Sequence, residues 1–144
     1  MHHSTKALFA LRIVLFLIGL AIIFLGLNVG LGGIRTLGWQ GSVDFLTVVD
    51  TLAFNTQDNH IRFLGGVWLG IGFLFFASAF ALKAFKTILL AFCLLVFVGG
   101  LARISIMEPS VIFSASIAPS FFAELVLFPL LGLWITKSVN AKEL

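Results

Sequence analysis

The sequence predicts an all-α integral membrane protein: an antiparallel four-helix transmembrane bundle with a short amphipathic helix in the first outer loop. Three observations carry that reading. Apolar residues make up 60% of the 144 positions and charged ones only 10%, against roughly 45–50% and about 25% in soluble domains. The apolar residues collect in four runs, near residues 7–28, 62–82, 87–107 and 119–137, each close to the ~20 residues that a helix needs to cross the hydrocarbon layer. The few charges stand mostly at the ends of those runs. A single membrane domain over residues 1–144 follows, without a soluble domain or a linker.

The same composition narrows the function classes. A net charge of +3 comes from lysines and arginines placed singly rather than in a stripe, so no nucleic acid is expected as a partner. Cys93 is the lone cysteine and lies inside an apolar run, which excludes an internal disulfide and a CxxC redox site. His60 has no second histidine within an apolar run to make a haem pair, and no carboxylate or cysteine cluster stands at ligand spacing. GxSxG, HExxH and P-loop patterns are absent. The expectation is therefore no metal, no cofactor and no catalytic residue, with the balance against an enzyme.

The first run, 7–28, is too long for a signal-peptide core and ends in glycine-rich sequence rather than a cleavage site, so it reads as a retained helix. Arg12 near its start can snorkel to headgroups. Gly19 and Gly26, seven apart, share the face expected to meet another helix. Next comes the longest polar segment. In it Val43, Leu46, Val49 and Leu52 recur every three residues, Asp44, Thr47 and Thr51 take the other side, and Ser42 is placed to cap the start. This predicts the amphipathic helix, lying across the outer mouth because its polar face is acidic rather than basic.

Asp58 and Asn59 precede the second run, 62–82, as caps for its first turn, with orientation of Arg62 as a second role open to them. Lys83 and Lys86 bracket a very short connection to the third run, 87–107, which Glu108-Pro109 ends. Pro119 suits the first turn of the fourth run, 119–137, and Pro129 inside it predicts a kink. With both termini cytoplasmic, Lys6, Arg12, Lys83, Lys86, Lys137 and Lys142 collect inside, leaving Arg35, Arg62 and Arg103 outside, in accord with the positive-inside rule.

Arg62, Arg103 and Glu124 remain as ionisable residues within or at the rims of apolar runs, where an unpaired charge costs about 2.5–3.5 kcal/mol on insertion scales. Counted from a turn midpoint between Ala84 and Phe85, Arg103 comes level with Gly66, with Arg62 roughly 6 Å further out, and Glu124, counted outward from Lys137, lies roughly 6 Å deeper than Arg103. Arg62-Phe-Leu-Gly65-Gly66 and Gly99-Gly100-Leu-Ala-Arg103 mirror each other, and Gly66 and Gly70 form a small-xxx-small pair. Gly65, Gly66, Gly70, Gly99 and Gly100 are thus the expected helix-packing positions. Two readings of the charges stay open. In one, Arg103 and Glu124 are an ion pair that sets helix packing, with Arg62 bonded to loop carbonyls. In the other, Asn59, Arg62, Arg103 and Glu124 line a pocket for an anionic or carbonyl-bearing molecule such as a lipid headgroup, a quinone head or a small acid. Proton relay or catalysis is a third and lesser reading.

Asn59-x-x-Arg62-x-x-Gly65-Gly66-x-Trp68-x-Gly70, then Gly99-Gly100-x-x-Arg103, then Glu124-x-x-x-x-Pro129, resemble the pattern of a family of small bacterial four-helix membrane proteins catalogued as domain of unknown function 4345. The architecture is also distantly similar to the DoxX-like group, some of whose members are associated with quinone-linked oxidoreductase complexes. The first resemblance implies a multi-pass protein of the bacterial inner membrane and adds no reaction, since fold does not imply function. The functional expectation is an accessory or lipid- or small-ligand-binding subunit with a polar outer-leaflet pocket. The alternatives are a membrane subunit of a quinone-linked redox system and a small transporter acting as an oligomer. Expected partners are membrane lipid, a lipid-like or quinone ligand, and further copies or a larger membrane complex.

Overall fold

A computed structural model describes residues 2–36 and 48–140. Its elements are α1 (His2–Gly32), a 3-10 turn (Gly33–Thr36), α2 (Thr51–Ser78), α3 (Leu82–Arg103) with a 3-10 extension (Ile104–Ile106), α4 (Pro109–Ile112), α5 (Ala118–Phe122), a π-helical turn (Ala123–Leu127) and α6 (Phe128–Asn140). Four segments are long and apolar enough to cross a membrane: Lys6–Thr36, Thr51–Ser78, Leu82–Ile106 and Ala118–Val139. Large side chains such as Phe9, Leu17, Phe24, Phe63, Leu94 and Leu133 are exposed along them, which in a multi-pass membrane protein is the surface that lipid covers. The contacts divide the chain into two compact units, Val14–Ala77 and Met1–Ile13 with Ser78–Leu144, and each is described in turn.

In the unit Val14–Ala77, α1 and α2 approach at backbone distance. A Cβ added at Gly19 would lie 2.5 Å from the Phe76 amide nitrogen, and one at Gly72 would lie 2.6 Å from that of Ile23. Gly26 meets the Leu69 backbone and Gly65 meets Gly30 just as closely. These contacts descend along α2 as they ascend along α1, and they recur at helical spacing on each. Leu15, Ile22 and Phe75 are buried, and the Phe16 and Phe76 rings lie 5.0 Å apart.

Helix α2 starts well before the apolar run. Asp50 caps it, its carboxylate accepting from the Ala53 amide at 3.0 Å while its carbonyl takes the Phe54 amide. Asp58 and Asn59 consequently lie inside α2 and cap nothing at its start, which corrects the sequence reading. The expected amphipathic helix falls mostly outside the described residues. Of its members, Val49 stands in a non-helical stretch and Leu52 belongs to the first turn of α2, both strongly exposed. Trp68, within the apolar run, is also exposed.

In the other unit, α3 opens at Leu82 after a turn at 79–81. The Ala84 and Phe85 amides both bond the Ala81 carbonyl, so Lys83 and Lys86 begin α3 rather than bracket the connection. The depth count taken from Ala84 and Phe85 therefore loses its origin. Leu82, Leu89 and Cys93 of α3 and Leu131, Ile135 and Val139 of α6 are buried. Gly132 of α6 faces Cys93 and Leu90 of α3. After the 3-10 extension, Met107 turns left-handed at φ 51° and Glu108 is extended, with Pro109 opening α4.

Just before Pro129, where the sequence predicts a kink, the chain makes a π turn. Proline has no amide hydrogen for the Leu125 carbonyl and its ring crowds that turn. The chain widens instead, and the Phe128 amide reaches Ala123 O in the i→i+5 pattern.

Candidate functional site

The π turn carries Glu124, whose side chain is 10% exposed. Arg103, in the last turn of α3, meets it with a bidentate grip: Nε donates to Oε2 at 2.6 Å and Nη2 to Oε1 at 2.7 Å. Parallel charge-assisted bonds of this kind are among the strongest a protein makes. The cation also suits the C-terminal end of α3. Gly100, one turn earlier, makes room, since a Cβ there would lie 2.9 Å from Glu124 Cβ and from Leu125 Cδ2. Both carboxylate oxygens are bonded, while Nη1 of Arg103 and the second Nη2 hydrogen have no partner among the described residues. The Arg103 side chain as a whole is 37% exposed.

In the unit Val14–Ala77 a second arginine is held in a comparable way. Arg62 Nε donates to Asp58 Oδ2 at 2.6 Å, an i,i+4 pair on α2, and Nη1 donates to the Leu31 carbonyl. The other Asp58 oxygen accepts from the Ile34 amide at 2.8 Å. Together they close the end of α1. Gly33 is left-handed at φ +69° and follows the last helical residue, as in the αL cap. Thr36 Oγ1 donates to the Asn28 carbonyl at 2.8 Å, and Asn28 Nδ2 donates to the Thr36 carbonyl at 2.7 Å. The free carbonyls of the helix end are thus answered by a cation and a hydroxyl. Arg35, in the same turn, sits 5.5 Å from the centre of the Phe54 ring.

A residue other than glycine at position 33 meets both a strained backbone and the Asp58 carboxylate. Gly33→Ala is expected to lower stability by about 2 kcal/mol, more than the ~1 kcal/mol at which left-handed strain begins; an unchanged unfolding midpoint in detergent would contradict the assigned cap.

Of the residues singled out from the sequence, Arg103 and Glu124 touch, and Arg62 bonds Asp58 and Leu31. Asn59 is exposed on α2 and makes no side-chain hydrogen bond among the described residues. The glycines divide. Gly65 and Gly100 lie against neighbouring residues of their own units, whereas a Cβ added at Gly66, Gly70 or Gly99 would meet nothing within 4 Å in its own unit. Neighbours in an α-helix point about 100° apart, so two consecutive glycines cannot both face one seam. Asn28, Gly33, Thr36 and Asp58 were not singled out as a group. Their signals were a glycine directly after a long helix and a carboxylate four residues before an arginine. No group of His, Cys, Asp and Glu that could hold a metal occurs among the described residues.

Apolar helices with their arginines held by carboxylates or by a helix end define a multi-pass helical membrane protein. The chain belongs to the family described as a domain of unknown function, DUF4345, whose model matches residues 10–135. No curated protein and no solved structure matches it.

Proposed function

We propose that the protein is a non-catalytic accessory or ligand-binding component of a bacterial inner membrane. Its four helices run antiparallel as one membrane domain, with both termini cytoplasmic and Arg62, Arg103 and Glu124 in the outer half. The ligand is an anionic or carbonyl-bearing, lipid-like molecule, such as an acidic headgroup or a quinone head. The observation that carries this reading is the half-buried Arg103 guanidinium, fixed by Glu124 through one edge and left with donors on the other that bond none of the described residues. An arginine oriented before its ligand arrives loses less entropy on binding than a free one. The π turn beneath Glu124 adds support, because such turns recur at functional sites.

Native mass spectrometry of protein extracted in several mild detergents tests the reading. A copurifying lipid, quinone or small acid, depleted when Arg103 is replaced, is the expected result. Protein of bare mass in every extract would contradict it.

A further inference from the structure

Near its C-terminal end, α1 presents a shallow, open groove of about 500 Å³, lined among the described residues by Phe24, Leu27, Asn28, Leu31 and Gly32 of that helix. Its walls are chiefly hydrocarbon, and Phe24, Leu27 and Leu31 are 54%, 43% and 75% exposed. What distinguishes it from any other lipid-facing surface is its rim. The Leu31 carbonyl accepts from Arg62 Nη1, so the guanidinium is pinned at the edge of the groove. Asp58 holds Nε from the opposite side. The Nη2 amino group and the outer Nη1 hydrogen have no partner among the described residues, and the Arg62 side chain is 41% exposed.

We infer that this groove seats one acyl chain of an anionic phospholipid, whose phosphate bonds the remaining donors of Arg62. An apolar trough ending at an oriented cation matches the two halves of such a lipid: hydrocarbon against Phe24, Leu27 and Leu31, and phosphate on the guanidinium edge. A zwitterionic lipid fits the same trough and brings no net negative charge to its rim. A free phosphate meets the cation and gains nothing from the trough. The site stands within the unit Val14–Ala77 and uses neither Arg103 nor Glu124, so it does not depend on the function proposed above.

The test is a lipid titration followed by native mass spectrometry, with dioleoyl phosphatidylglycerol and dioleoyl phosphatidylcholine as probes and glycerol 1-phosphate as competitor. Wild type is expected to bind phosphatidylglycerol at least tenfold more tightly, and glycerol 1-phosphate at equal concentration to leave that binding intact. Arg62→Gln removes the preference. Leu27→Trp, which fills the groove from an exposed position, lowers occupancy of this site several-fold and tests the site even if Arg62→Gln fails to fold. The preference persists in the double variant R103L/E124L, which separates this site from the other. Equal affinity for the two lipids, a phosphatidylglycerol occupancy untouched by Leu27→Trp, or displacement by glycerol 1-phosphate would overturn the inference.

Discussion

Replacing Arg103 by leucine is expected to destabilise the protein by about 2–3 kcal/mol, Glu124→Leu by a similar amount, and the double replacement by much less than their sum. Breaking a fully buried ion pair costs roughly 3–5 kcal/mol, because the surviving charge is stranded. Here the figure is trimmed because the Arg103 side chain is 37% exposed, although Glu124 is only 10% exposed. Leucine at both positions removes two desolvated charges together and supplies apolar volume, so the double variant recovers most of the loss. Reversible unfolding in mixed micelles gives the cycle directly. A coupling of about 2 kcal/mol or more is the predicted outcome, and additive effects would mean that the two side chains do not share their energy.

The second large effect is a change of sign between neighbouring glycines. Gly65→Ala should destabilise by about 1–3 kcal/mol, the range for overpacking a tight contact, because the new methyl group enters the backbone of Gly30 and Val29. Backbone cannot rotate away as a flexible side chain can. Gly66→Ala and Gly70→Ala meet nothing within 4 Å and should stabilise by up to about 1 kcal/mol through the helix preference of alanine. The same unfolding measurement separates them. Equal effects at Gly65 and Gly66 would refute the register of α1 against α2.

The four apolar segments were legible because hydropathy is a local property of sequence. Helix ends were less so. The polar turns of α2, from Thr51 to Arg62, are hydrogen-bonded like the apolar turns that follow, yet hydropathy registers only the latter. The signal that fixes the start is a single aspartate, Asp50. At the α2–α3 turn, Ser78 and Ala79 precede the charged Lys83 and Lys86, and no glycine or proline marks the bend. The lysines therefore looked like its edges.

Arg103 and Glu124 could be noticed from the expense of charge in apolar sequence, but their bidentate geometry depends on a π turn that Pro129 only hints at. The Arg62 cluster was harder. Asp58 reads locally as a helix cap, and only the fold shows that its partners include the Ile34 amide, far away in sequence. Glycine pairs raised the further difficulty that composition does not say which member of a pair faces the seam.

The central claim is that the Arg103 guanidinium serves a ligand as well as joining two elements. The double variant R103L/E124L isolates it, because the fold is retained while the oriented cation is gone. Native mass spectrometry of this variant, extracted beside wild type in the same mild detergent, should find the copurifying species of the wild type, other than anionic phospholipid that Arg62→Gln releases, lost or reduced at least tenfold. A double variant that carries the same species at the same occupancy would contradict the account.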